Sequence, residues 1–266
     1  MGVYLKVIIN VFYSNTMYNL NTYLSIFQRI ITLFIQISIW KALLGNAGHI
    51  NTNIGRITIK EMIIYTLIST CISIFISNNV ILRIDNKIKT GEIAIDLIKP
   101  INFKMLLFCE LIGKNIYKII FQLVPLILII ALIGDMPLIS WKLSILFIVC
   151  CINSLIINFM IYYILGLTGF WYLSVWHLDR FMYDLIRLFS GAFIPLWFFP
   201  DFLNQIAKYL PFRLIYFTPI SIYMNKVSSY ETVNLIFQQT LWILILVIIE
   251  KFLWHKGIKK LVLQGG

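Results

Sequence analysis

Charge is scarce in this sequence. Only 12% of its 266 residues are Asp, Glu, Lys or Arg, and just 11 are acidic. A soluble domain carries about 25% charge, so too little polar sequence is present to build one. There are three histidines, His49, His177 and His255, far apart on different segments. No H-E-x-x-H pair, G-x-S-x-G elbow or G-x-x-x-x-G-K-[ST] phosphate loop occurs. These absences exclude nucleotide hydrolysis by a phosphate loop and leave no convergent set for an intramembrane hydrolase. No catalytic residue, metal or bound cofactor is expected. The four cysteines, Cys71, Cys109, Cys150 and Cys151, lie in or beside apolar runs without C-x-x-C spacing, and read as buried thiols. Met1 to Thr22 lacks the clean apolar stretch of a cleavable signal, being interrupted by Asn10, Asn15, Asn19 and Asn21.

What the chain does have is apolar length. Hydrophobic residues make up 60% of it, and its mean hydropathy is +0.88. A membrane-crossing helix needs about 20 mostly apolar residues. The expected architecture is all-α and polytopic, a single transmembrane domain over residues 1–266 with six spans. Residues 1–22 form a short helix lying on the membrane, with Val7, Ile8, Val11 and Phe12 as its apolar side. Spans are expected at 24–44, 61–80, 111–133, 141–165 and 233–253. A polar loop covers 45–56, and a turn at 134–137 follows the third span. The fifth span is harder to place, because 188–199 is too short to cross alone. Starting it near Tyr172 puts His177, Asp179, Arg180, Asp184 and Arg187 in its inner half. After it, residues 200–230, punctuated by Pro211 and Pro219, are expected as re-entrant or external helices, tolerable at depth only under protein cover.

Basic residues set the orientation. Of the 22 Lys and Arg, 15 fall on the same side as the N-terminus, leaving Lys41, Arg56, Lys60, Lys142, Lys208, Arg213 and Lys226 on the other. Both termini are therefore expected in the cytoplasm. The net charge of +11 fits loops facing an anionic leaflet. No basic stripe interleaved with aromatics exists, so no nucleic-acid partner is expected. Trp141, Trp171, Trp176, Trp197 and Trp254 lie near span ends and read as an interfacial belt.

Two polar constellations stand out. The stretch 83–104 sets Ile88, Ile93, Ile95, Leu97 and Ile98 among charges of both signs, with a turn residue at Gly91 and a helix stop at Pro100. It can be an amphipathic helix made for a partner's groove or a solvated loop. In the second, Arg180–Asp184 and Asp184–Arg187 have i,i+4 and i,i+3 spacing beside Asp179 and Tyr183. At membrane depth such groups face a pathway or subunit contact; at headgroup level they are ordinary surface charges.

On three ordered motifs the chain resembles the type-2 ABC export permeases, in the six-span branch usually paired with a second permease. The first is Ile88-Lys89-Thr90-Gly91-Glu92-Ile93-Ala94-Ile95-Asp96-Leu97-Ile98-Lys99-Pro100-Ile101 after span two. The second is Phe170-Trp171 followed by Ser190-Gly191, Ile194-Pro195-Leu196 and Phe199-Pro200. The third is Leu210-Pro211-Phe212 with Pro219. The resemblance implies a permease of a bacterial cell membrane whose ATP and Mg are used by a separate ATPase subunit, present in two copies. It gives Ile88, Lys89, Gly91, Glu92, Asp96, Leu97, Lys99 and Pro100 the role of a coupling helix, so charge reversal at Glu92 or Asp96 is expected to impair coupling. It gives Gly191, Pro195 and Pro200 the role of an outer gate. A second permease, identical or homologous, would complete the path. The competing reading is a non-transporting membrane scaffold or immunity protein. The substrate is not fixed by the resemblance.

Overall fold

The computed structural model describes residues 2–17, 19–45, 49–52, 55–133, 137, 139–172 and 174–264. Helix α1 (Gly2–Thr16) precedes α2 (Asn19–Leu44), and a two-stranded antiparallel hairpin follows, β1 (His49–Thr52) with β2 (Gly55–Thr58). His49 pairs with Thr58 and Thr52 with Gly55, so part of the expected polar loop is a β-hairpin. Asn46 and Asn53 of that loop lie outside the described residues, as do 134–136 of the expected turn. The chain continues through α3 (Ile59–Phe75), α4 (Val80–Lys89), α5 (Glu92–Ile98), α6 (Phe103–Lys118) and α7 (Val124–Ile133). Then come α8 (Trp141–Leu167), α9 (Trp176–Phe189), α10 (Asp201–Tyr209), α11 (Phe217–Tyr223) and α12 (Ser229–Gln264).

Local signals set many of these boundaries. Thr58 and Glu61 form a reciprocal capping box at the start of α3. Asn102 and Ser140 accept backbone N–H groups at the starts of α6 and α8. The third expected span is α6 joined to α7 through one π-helical turn at Ile119–Leu123, and it begins eight residues earlier than expected. Gln122, in that turn, is buried and donates to Ser25 Oγ at 2.9 Å.

Among the described residues, five stretches are long and apolar enough to cross a membrane: Thr22–Leu44, Ile59–Lys89, Phe103–Ala131, Trp141–Phe170 and Ser229–Lys260. The second is broken between α3 and α4, where Ser77, Asn78 and Asn79 interrupt it. Side chains satisfy the freed backbone. Asn115 Nδ2 donates to the Phe75 carbonyl at 3.0 Å and Asn158 Nδ2 to the Ile76 carbonyl at 2.8 Å. Ser77 Oγ in turn donates to Asn115 Oδ1 at 2.9 Å. In an apolar medium each such bond replaces a penalty of several kcal/mol, which is why the break is tolerated.

The fifth expected span is not among these five. Helix α9 has 14 residues, roughly 21 Å, short of a hydrocarbon core of about 30 Å. Its direction is clear from its ends. Just before it, the Val175 N–H donates to Asp85 Oδ1 of α4 at 2.8 Å. Just after it, Gly191 accepts from Tyr65 Oη of α3 at 2.6 Å. The crossing runs from the α5 end of the bundle toward the β-hairpin end, finishing as a non-helical stretch rather than as the continuous helix expected from Tyr172. Helices α10 and α11 stay at the hairpin end, where Lys226 pairs with Glu61 and Tyr223 Oη donates to the Pro137 carbonyl.

Helix α8 is the hub. Its half toward the α5 end is buried on most sides, and Gly166 lets Ile84 of α4 approach more closely than any Cβ would allow. Gln239 of α12 donates to the carbonyls of Cys150 and Leu214, locking α12 to α8 and to the turn before α11. Helix α1 lies along α6, where Gly113 leaves room for the Ile8 backbone. Among the expected interfacial tryptophans, Trp141 and Trp176 are exposed. Trp197 instead packs edge-on to Tyr65, and Trp254 stacks on Phe103.

Candidate functional site

At one end of the bundle α4 and α5 form a helical hairpin. Gly91 sits between them at φ +74, a left-handed conformation that a side chain would strain. Lys99, extended before Pro100, ends α5. The hairpin is charged yet self-neutralising. Asp96 is buried between Lys87 and Lys99, its two oxygens taking one ammonium each at 2.5 and 2.7 Å. Burial acts to raise the Asp96 pKa, but the hydrogen bonds from Lys87 and Lys99 outweigh it and hold the carboxyl below its ordinary value. Asp85 receives Lys89 Nζ as well as the Val175 N–H. Arg83 makes a two-point pair with Glu110 of α6.

Of the residues expected to meet a partner, the structure divides two groups. Ile88 is half-buried against Gly169, and Asp96 is committed to internal pairs. Leu97 is half-buried in the main core. Glu92, Lys99 and Pro100 are exposed, together with Ile95 at 59% and Ile98 at 84%. An apolar side chain that open at the tip of a charged hairpin has no internal function, so the outward face of α5 centres on Ile95 and Ile98.

The second feature lies inside the bundle. A cavity of about 410 Å³ opens between α2, α3, α8 and α9. Ser69 and Ser73 reach it one turn apart on α3 and Ser77 from the break that follows, joined by Asn78, Asn158 and Tyr216. Two guanidiniums line it, Arg29 and Arg187. Arg29 stands roughly 10 Å inside the span that starts at Thr22. It donates through Nη1 to Ser73 Oγ at 2.9 Å, and its buried Nε has no partner. Arg187 lies over the Phe193 ring at 4.7 Å. Among the described residues, no acidic side chain lines the cavity.

Of the charged group on α9, only Arg187 faces this chamber. Arg180 and Asp184 pair with each other at 3.3 Å on an exposed face. The Asp184–Arg187 pair is absent. Asp179 makes no ion pair, and its Oδ1 is buried without a partner. Arg29 lies low in the first expected span, and in the sequence it counts only among the fifteen basic residues on the side of the N-terminus. The available signal was an unaccompanied arginine in an apolar helix, set against the serine spacing of α3.

Above the chamber the expected gate residues cluster at the end of α9. Gly191 has φ +78, and a Cβ there would press on Tyr65 Oη and Phe217. Its carbonyl and that of Ala192 accept from Tyr65 and Ser69 of α3. Pro195 opens a short 3₁₀ turn, and Pro200 precedes α10. The bonds from Tyr65 and Ser69 tie the segment to α3, and Ala192 borders the cavity.

A helical bundle that crosses the membrane, encloses a polar chamber and carries an exposed helical hairpin at one end defines a membrane-transport domain. The profile described as ABC-2 family transporter protein matches residues 30–265, and the chain belongs to that family. It is thus a permease subunit of an ABC transporter, a multi-pass membrane protein whose family works with an ABC ATPase. No curated protein matches the chain.

Proposed function

We propose that this chain is the permease of an ATP-driven exporter, coupled through the α4–α5 hairpin to a separate ATPase that uses ATP and Mg. Residues 1–266 act as one permease domain, and two permeases, identical or homologous, form the path between two ATPase copies. The hairpin end faces outward and the α5 end, with both termini, faces the cytoplasm of a bacterial cell. Family membership supports the assignment to ABC transport. The observation that carries the coupling role is the exposure of Ile95 and Ile98 on a hairpin whose charges are internally paired. An ATPase can bias a permease only through contacts that differ between its states, and α4 transmits movement of α5 into α8 and α9.

The test is co-purification from native membranes with mass spectrometry of bound proteins. A stoichiometric ATPase, lost on Ile98→Asp while the permease yield is unchanged, is the expected result. A chain that purifies alone, with the hairpin open to protease in membranes, would reject the proposal in favour of a scaffold or immunity protein.

A further inference from the structure

We propose that the chamber between α2, α3 and α9 is a binding site for the anionic group, phosphate or carboxylate, of an amphipathic substrate. The inference rests on the permease reading and adds the chemistry of the cargo. A guanidinium inside a bilayer is costly unless something answers its charge. Arg29 and Arg187 both face the chamber, with no carboxylate among the described residues that line it. Arg29 has only a serine hydroxyl and leaves Nε unused, and Arg187 has only a ring face. The cationic character continues through the wall, where Lys118 Nζ donates to Ser77 Oγ at 2.8 Å. Lys114 stands one turn closer to the α5 end, bordering a second cavity with Arg83 and Glu110.

Lys87 and Lys104 are answered by Asp96 and Glu250, whereas Arg213, outside the chamber, also leaves its Nε without a partner. What sets the chamber apart is that two guanidiniums face one cavity, and planar guanidiniums beside hydroxyls fit a forked oxyanion. The amphipathic character follows from position. Helix α2, which carries Arg29, is open along most of its length, with Phe27, Phe34 and Ile35 exposed. A headgroup in the chamber therefore has an apolar surface beside it for a tail.

The experiment uses the full chain in phosphatidylcholine nanodiscs, with native mass spectrometry reading retained short-chain lipid. Dihexanoyl phosphatidic acid is expected to be retained at least about tenfold more strongly than dihexanoyl phosphatidylcholine, the scale of one charge-assisted bond. Arg29→Gln and Arg187→Gln are each expected to lose about that factor, and Arg187→Lys to recover part of it. Equal retention of the two lipids, or retention unchanged in both glutamine variants, overturns the proposal. Variants count only if they elute and melt like the parent; should Arg29→Gln fail, Arg187→Gln carries the test. Inorganic phosphate is the third arm. Displacement by it supports an anion site indifferent to the tail, and failure to displace supports recognition of the whole amphiphile. Since binding is read without an ATPase, failure here is distinct from failure of co-purification.

Discussion

The α4–α5 hairpin and the chamber are both rich in ionisable groups, yet they treat charge in opposite ways. In and around the hairpin, Arg83, Lys87, Lys89 and Lys99 each have a carboxylate partner within the molecule. In the chamber, Arg29 and Arg187 have none among the described residues. Paired charges fix geometry, because neither partner can move without leaving the other exposed to a low dielectric. Unpaired charges hold potential in reserve for something that arrives. On the proposed function the hairpin is the rigid lever, and on the further inference the chamber is the receptor.

The sharpest way to break this comparison is to unpair the hairpin. Asp96→Ala takes from Lys87 its hydrogen-bonded carboxylate and leaves only Glu110 at 3.7 Å, and removal of one partner of a buried pair costs up to about 3 kcal/mol. Tryptic cleavage after Lys89, beside the turn, should rise by more than tenfold, read on gels of membrane vesicles. The double variant Lys87→Met, Asp96→Leu should restore most of the protection, since it removes both charges. Unchanged cleavage in Asp96→Ala would mean that the hairpin is not held by this pair. The same pair predicts a flat pH response near neutrality. The folded carboxyl is depressed, so its stabilisation is present above the unfolded value of about 3.9. It is lost only as pH falls through the lower folded value. Protease protection should therefore hold from pH 8 to pH 5 and weaken only in stronger acid.

A smaller effect is expected at the turn between the two helices. Gly91→Ala meets no neighbour within 4 Å, so its cost is backbone strain alone, about 1–2 kcal/mol for a left-handed alanine. Cleavage should rise less than for Asp96→Ala. A larger rise would show that the turn, rather than the ion pairs, holds the lever.

The chamber should respond with the opposite sign. Arg29→Gln keeps a donor for Ser73 and removes a charge that nothing answers. Thermal stability should stay level or rise by up to about 1 kcal/mol. Reaction of the buried Cys150 and Cys151 with a thiol dye on heating reports it. A fall of several kcal/mol would reveal a carboxylate partner in the assembled transporter and end the contrast.

The two regions were not equally legible in the sequence. The hairpin announced itself: Gly91 and Pro100 bracket α5 in order, and turn chemistry is local. Its internal pairing was not visible, because Lys87 and Asp96 meet only after α4 folds back on α5. Asp96 accordingly looked like a partner contact and proved to be an internal one. The five long spans follow from apolar length, whereas α9 is short, charged and closed by a backbone turn at Ser190–Gly191, so hydropathy alone could not place its end. The chamber assembles one wall each from α2, α3, α8 and α9, and no window of sequence contains it. Only the serine spacing on α3 and the isolated Arg29 hinted at it.

The least disruptive variant separates lever from receptor most cleanly. Glu92 is exposed in the first turn of α5 and has no ion pair, so Glu92→Lys disturbs only a helix-terminus interaction of about 0.5 kcal/mol. Protease protection and melting should be nearly unchanged, while charge reversal beside Ile95 and Ile98 places the wrong sign where a partner's groove must close. Retention of the ATPase on purification should drop, and phosphatidic acid retention by the chamber should not. Loss of both together would mean that the hairpin and the chamber are one coupled site, even in the absence of nucleotide. Loss of neither would move the docking contact off the first turn of α5 and leave Ile98, at the other end of the helix, as its centre.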